Sequence, residues 1–342
     1  MTHDTRHTQL HAIYHYLRVV AASLVLCLTI QSCDKQSHPL TPEEDVAISM
    51  TVSSAEMDAS RAIVTDNATL QSTAIGVYAY KELANGTQPM VFDNTQLTYD
   101  ANKGWDYSPT KYWDRTAYYS FVAFSPYTAT HSYENHTLTI SDIPYWQVIN
   151  GNEVDYLVAN SHGSAESYLL TDSKSVPLAF SHILSQLVIN VVKDANLTNT
   201  EYKVKTIEYI NVPASGGKAE YTYSSSPSFS DISITSSVSS PSSVPMLEQE
   251  KVVTLANAND IISLPHLVVP FTLTDDKQVQ VKVTYTVAGT ERNKTVDTGI
   301  TQLEAGKRYE LTLTFKGAEI VPELEVKNWI EQPVDEDPKY NW

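Results

Sequence analysis

Few residues in this sequence are spaced as a catalytic or metal-binding group requires. The chain has 10 histidines, but it contains no HExxH, GxSxG, Walker or GxGxxG motif. His182 lies among apolar residues and is expected to be a hydrogen-bonded, partly buried histidine. His131, His136 and His162 stand in turn-like contexts without the spacing of metal ligands. Carboxylates are abundant but nowhere paired for acid–base work, so we expect no enzymatic activity, cofactor or metal.

The residue with the clearest chemical role is Cys33, one of 2 cysteines in the chain. Ile30 precedes it by three positions, Ser32 stands directly before it, and residues 19–30 form an apolar run after a basic start. This arrangement resembles the bacterial lipobox, in which residues 1–32 are a signal peptide and the cysteine becomes acylated. Acyl chains anchor a protein because each buried methylene contributes about 0.8 kcal/mol. A secretory signal with an incidental cysteine is the alternative.

A second candidate site follows the signal. Residues 34–45 are polar and contain proline, which is typical of a solvated tether. Residues 46–52 carry apolar side chains at even positions and small ones at odd positions, which predicts a half-buried strand. The small-residue loop after it reaches Arg61-Ala62, where an exposed arginine is accessible to a trypsin-like, arginine-specific protease. An ordinary surface arginine is the alternative interpretation.

Aromatic residues are concentrated between positions 99 and 127. Their rings can stack on sugars, which makes Trp105, Tyr107, Tyr112 and Trp113 a candidate ligand platform. Alternating aromatics in strands are more often core residues, because each one buries a large apolar area. We favour the core interpretation and keep the platform open.

The composition favours an all-β protein. The chain has 21 tyrosines, and clusters of Gly, Pro, Asn and Ser recur at the short spacing of β-turns. A formal net charge of −17 argues against a nucleic-acid partner, whose phosphates require a basic face. A length of 342 residues is suited to roughly two domains.

Residues 178–192 divide the strand-rich chain near its middle. They begin with a helical or turn-like segment and change at residue 187 to an apolar run of strand length. We therefore place the boundary between two β-sandwich domains here. The predicted parts are a signal peptide (residues 1–32), a tether with a removable first strand (33–61), an N-terminal domain (62–177) and a C-terminal domain (178–342).

Several short phrases occur in one order along the chain. They are the lipobox at Cys33, the Arg61-Ala62 loop, IGVYAY at residues 75–80, KYWDRTAYYSFVAFSPY at 111–127, LAFSHILSQLVINV at 178–191, and LEAGKRYELTLTF at 303–315 with VKNW at 326–329. Together they resemble the fimbrillins of Bacteroides-like bacteria, which are the subunits of lipoprotein-derived type V pili and related surface proteins.

The resemblance implies two transthyretin-like β-sandwich domains in tandem and export as a lipoprotein to the outer membrane. It further implies cleavage after Arg61, release of the first strand, and a fimbrium built with other fimbrial subunits as a homo- or hetero-polymer. A strand from a neighbour then fills the opened groove, and such a head-to-tail contact does not close, so it makes a filament. The family's donor is carboxy-terminal, which maps to residues 320–342. Its candidate residues here are Ile320, Val321, Leu324, Val326 and Trp329.

Two alternatives stay open. The first is a monomeric, lipid-anchored adhesin or glycan-binding lipoprotein that meets a host or bacterial surface receptor through the aromatic platform. The second is the anchor or tip subunit of a pilus. The second is favoured by residues 335–338, because three consecutive acids and a proline make a poor continuous strand.

Overall fold

The predicted all-β class is confirmed, because strands of five sheets account for most of the described chain. The computed structural model describes residues 45–54, 70–149, 152–197, 199–212, 218–224, 233–236, 242–247, 253–256, 260–273 and 277–328. Within these ranges no helix is long and apolar enough to cross a membrane.

The largest sheet has seven strands and contains the amino-terminal strand at one end. In spatial order it consists of β1 (Ser49–Ser54), β10 (Ser175–His182), β9 (Leu157–Ser164), β5 (Tyr118–Ser125), β2 (Ile75–Glu82), β3 (Met90–Asp100) and β4 (Gly104–Asp106). The central strands β5 and β2 are buried on both faces, so their burial does not alternate. A short helix, α1 (Ala165–Leu169), follows β9, and Ser164 caps its first turn.

One face of this sheet packs on a four-stranded sheet that draws strands from both halves of the chain. Its order is β14 (Ser233–Ser236), β13 (Lys218–Ser224), β7 (Thr137–Pro144) and β6 (His131–Glu134). The side chains between the two sheets form one buried cluster, whose members include Tyr78, Val122, Phe124, Leu138, Ile140 and Tyr221. The ring of Phe124 lies directly over Gly76, where an added Cβ would stand 2.2 Å from the ring. Only glycine leaves room for that ring.

The carboxy-terminal part is a β-sandwich of two five-stranded sheets. The first has the order β23 (Glu319–Asn328), β22 (Lys307–Lys316), β11 (Ser185–Lys193), β17 (Ile261–Val268) and β8 (Trp146–Val148). The second contains β15 (Ser242–Leu247), β12 (Tyr202–Val212), β19 (Gln280–Val287) and β20 (Thr290–Asp297), with β16 (Val253–Leu255) also paired to β12. A separate pair is formed by β18 (Phe271–Thr272) and β21 (Gln302–Leu303).

Alternate side chains from the facing strands of this sandwich make a second core cluster. Phe315 of β22 contacts Tyr202 of β12 and Tyr285 of β19, with ring centroids 4.5 and 4.7 Å away. The buried strand predicted from residue 187 onward is the middle strand β11, parallel to β22 and antiparallel to β17.

The segment before β11 differs from the sequence expectation. The sequence predicts a helical or turn-like segment over residues 180–186, but residues 180–182 extend β10, a bend lies at Ile183 and Leu184, and β11 already begins at Ser185. The extension is held by pairing of Ser181 and His182 with β9 and by the Ile183 amide, which donates to the Tyr156 carbonyl at 3.0 Å. Long-range pairing outweighs the local pattern here.

Strands also run across the predicted division between residues 177 and 178. β10 spans that point, β13 pairs with β7, and β8 pairs with β17. The two-domain division and its boundaries stay predictions.

Candidate strand-binding groove

Strand β1 is the outermost strand of the seven-stranded sheet and pairs in parallel with β10. The ladder runs from Ser49 opposite Ser175 to Ser54 opposite Phe180. Two β1 hydroxyls add bonds to this neighbour, because Ser49 Oγ donates to the Lys174 carbonyl at 3.2 Å and Thr51 Oγ1 lies 3.3 Å from Ser175 Oγ. β10 therefore contacts both the backbone and the polar face of β1.

The amino end of β1 is held on its other side by residues 107–112, which we name the clasp. Ala47 forms an antiparallel bridge with Tyr112. The Ile48 amide donates to the Lys111 carbonyl at 2.8 Å, and the Tyr107 hydroxyl donates to the Ile48 carbonyl at 2.6 Å. Both backbone groups of Ile48 thus bind the clasp. We name the space between β10 and the clasp, which residues 47–54 occupy, the strand groove.

The apolar face of β1 points into the protein, as the sequence period predicts. Ile48 is 2% exposed and Met50 is 6% exposed, whereas Ser49 and Thr51 are exposed. Regular β1 geometry begins at Ser49, later than the predicted start at residue 46. The difference arises because residues 47 and 48 pair with the clasp rather than with β10.

Tyr107 is fixed in place within the clasp. Its ring meets Phe92 of β3 edge to face, with centroids 5.0 Å apart, and the Lys111 amide donates to its hydroxyl at 3.4 Å. Burial raises the pKa of Tyr107, so the hydroxyl stays protonated and able to donate at neutral pH. A hydroxyl held in this way is preorganised for one backbone carbonyl.

The four residues of the predicted ligand platform do not lie on one face. Trp113 is 8% exposed and stacks on Tyr168 with centroids 5.2 Å apart. Trp105 is half-buried against Tyr99, and Tyr107 serves the clasp, whereas Tyr112 is 52% exposed. The ligand platform stays a prediction. Of its four residues, the buried Trp113 is not available to stack on a ligand, whereas the exposed Tyr112 is.

A polar surface depression of about 770 Å³ lies between β3 and the clasp. Asp93, Asp106, Tyr107 and Lys111 are among its lining residues. Ile48 and Met50 are not among the residues that line it, and both are buried. In the described ranges, no group of three or more His, Cys, Asp or Glu is arranged to hold a metal ion.

The candidate donor residues lie in the last described strand, at an end of the carboxy-terminal sheet. β23 pairs along its whole length with β22 of the same chain. Ile320 is buried and Leu324 half-buried, whereas Val321 is 36% and Val326 49% exposed. The strand is therefore paired with one neighbour, β22, and of these four side chains only that of Ile320 is fully buried. Trp329 lies outside the described residues.

The predicted chemical sites in the amino-terminal part of the chain, Cys33, Arg61 and Ala62, also lie outside the described residues. Lipidation and cleavage at these positions stay predictions. The clasp was not found by sequence reasoning. Its only local signal is the turn-forming Ser108-Pro109 pair, which does not reveal a contact with residue 48.

Comparison with known proteins agrees with this all-β architecture. The model of the fimbrillin-like family matches residues 60–329. A fimbrial protein from Bacteroides vulgatus ATCC 8482 has 17% identity and a TM-score of 0.51, over 83% of this chain and 99% of its own. A protein from Bacteroides uniformis ATCC 8492 with a suggested cell-adhesion role has 18% identity and a TM-score of 0.49, over 83% and 99%. The tip fimbrial protein Mfa3 from Porphyromonas gingivalis has 11% identity and a TM-score of 0.43, over 84% and 100%. No protein of curated function matches significantly.

The class is thus an all-β protein with the fold of a bacterial fimbrial protein. Because the family model covers most of its length, the chain belongs to the fimbrillin-like family.

Proposed function

We propose that this protein is a structural or adhesive subunit of a cell-surface fimbria that assembles by β-strand exchange in the strand groove. Family membership supports the fimbrial role. The observation that carries the exchange step is the position of β1. It is a short end strand, paired with β10 on one side, and residues 55–69, which contain Arg61, connect it to the rest of the chain.

The proposed assembly route has three steps, of which the first two are covalent and the third is the replacement of one strand by another. Cys33 is acylated after export and holds the protein at the outer membrane. An arginine-specific, trypsin-like protease then cuts between Arg61 and Ala62, which leaves β1 bound only by non-covalent contacts. A strand from another fimbrial subunit replaces β1 next to β10, where main-chain hydrogen bonds and two apolar side-chain sites receive it.

The donor in this proposal is the carboxy-terminal segment that begins at Ile320. Its position at the end of its sheet supports this role, because an end strand is paired with one neighbour and detaches more readily than a strand paired on both sides. Two transthyretin-like sandwiches in tandem, one bearing the groove and one bearing the donor, place the two functions at different ends of the sequence. The subunit then makes head-to-tail contacts and a filament on the cell surface.

The test is the mature amino terminus of surface-extracted protein, together with its oligomers on an unboiled gel. A start at Ala62 and a ladder of oligomers are expected. Arg61→Ala should give a start at an acylated Cys33 and monomer alone, and Arg61→Lys separates an arginine-specific protease from one that accepts both bases. Normal polymers from Arg61→Ala would refute this route, and monomeric, acylated wild type would indicate an anchor or a stand-alone adhesin.

A further inference from the structure

The clasp binds the occupant of the strand groove in a way that the sheet alone cannot. At Ile48 it accepts the N–H through the Lys111 carbonyl and donates to the carbonyl through the Tyr107 hydroxyl. The N–H and C=O of one strand residue point to the same side, and those of the next residue point to the opposite side, so both groups of Ile48 point away from β10. The β10 ladder starts one residue later, at Ser49. One residue of the occupant is therefore held by a dedicated pair of hydrogen bonds.

We propose, on the basis of the strand-exchange function above, that the clasp is the docking element that selects and positions the incoming strand of a neighbouring fimbrial subunit. The strand that fits is extended, runs parallel to β10 and carries large aliphatic side chains two positions apart. The first of these residues cannot be proline, because the Lys111 carbonyl requires an N–H. The residue between them faces solvent, as Ser49 does in β1, so this position accepts a polar side chain.

These requirements are read from β1, the occupant in the structure. Ile48 and Met50 are the buried aliphatic pair, and Ser49 between them bonds the Lys174 carbonyl. A slip of one residue would turn both aliphatic side chains to solvent. A slip of two residues keeps the same side chains buried but places a different residue opposite the clasp. If that residue is a proline, the hydrogen bond to the Lys111 carbonyl is lost.

Applied to a second copy of this chain, the rule selects one register of β23. The alternate residues on the face of the buried Ile320 are Pro322, Leu324 and Val326, of which Val326 is exposed in β23. Pro322 cannot take the Ile48 position, because it has no N–H to donate to the Lys111 carbonyl. Ile320 cannot take it either, because Pro322 would then fall in the Met50 position, where a large aliphatic side chain is required. Leu324 in the Ile48 position and Val326 in the Met50 position satisfy the rule, and the charged Glu325 then takes the exposed Ser49 position.

The experiment uses the full chain with a sequence-specific protease site inserted between Arg61 and Ala62, so that a nick leaves β1 in place. A labelled peptide of residues 46–54 then competes for the groove, and fluorescence anisotropy gives its affinity. Tyr107→Phe is expected to weaken the peptide about tenfold, the usual effect of losing one partly buried hydrogen bond. N-methylation of the peptide's Ile48 amide should weaken it at least as much.

Tyr118→Phe is the matched control, because it removes a hydroxyl from an exposed side chain of β5 that lies outside the clasp. It should bind the peptide like wild type, and thermal unfolding of each variant before nicking checks that the fold is intact. Equal binding by Tyr107→Phe and wild type would overturn the role of the clasp and leave strand exchange standing. If no peptide enters nicked wild type, strand exchange itself fails, and the clasp proposal fails with it.

Discussion

The docking of β1 can be tested by shortening Ile48. Its side chain is 2% exposed, so Ile48→Ala removes buried methylenes and leaves a cavity, which costs about 2–5 kcal/mol in protein cores. Because β1 is the end strand of its sheet, the site can partly collapse, and we expect the lower part of that range, about 2–3 kcal/mol. Local opening of β1 should then increase about 30- to 150-fold.

Hydrogen exchange resolved by segment is the assay. Amides of β1 and of its neighbour β10 should lose protection by that factor, whereas those of β22 in the carboxy-terminal sandwich should not change. Ser49→Ala is the control, because it removes only one exposed hydrogen bond of 3.2 Å and should cost no more than about 1 kcal/mol. An equal loss of protection in β22 would refute the view that β1 opens as a local unit.

Three further changes test other contacts of the fold. Gly76→Ala places a Cβ 2.2 Å from the Phe124 ring and should destabilise by about 1–3 kcal/mol in denaturant titration, with partial rescue by Phe124→Leu. Burial lowers the pKa of His266 from 6.5 to about 4 in the folded protein. As pH falls, the imidazole is therefore protonated in the unfolded state at a higher pH than in the folded state. About 3 kcal/mol of stability should therefore be present above pH 6.5 and be lost as pH falls toward 4, and His266→Gln should remove this dependence of stability on pH. Lys193 is 3% exposed and donates to two backbone carbonyls, so Lys193→Met should lower stability by about 1–3 kcal/mol in thermal unfolding, and an unchanged melting curve would contradict this contact.

Sequence patterns of short range predicted the strands well. The alternation in residues 46–52 correctly gives the buried face of β1, because side-chain direction in a strand depends only on the period of two. The apolar run from residue 187 likewise gives β11, since a middle strand needs apolar side chains on both faces.

Contacts between distant parts of the chain could not be predicted in this way. Tyr107 and Ile48 are 59 positions apart, and no local pattern links a tyrosine hydroxyl to one particular carbonyl. The sequence analysis considers only the ring of Tyr107, as a core residue or part of a ligand platform, whereas the structure shows that its hydroxyl also binds Ile48. The pairing of β13 with β7 is equally long-range and depends on which sheet edge is free once the fold has formed.

For the proposed strand exchange, the position of β1 determines how much of the fold depends on this strand. The two core clusters described above draw on the other sheets and strands, and neither includes Ile48 or Met50. Loss of β1 therefore uncovers the edge of β10 and the clasp, while both clusters keep their own contacts. An uncovered edge with unpaired backbone groups is a template for another strand, and the clasp adds a hydrogen-bonding pair at its entrance. Replacement of β1 would restore the ladder along residues 175–180 of β10, because the described part of β9 pairs with β10 only at Ser181 and His182.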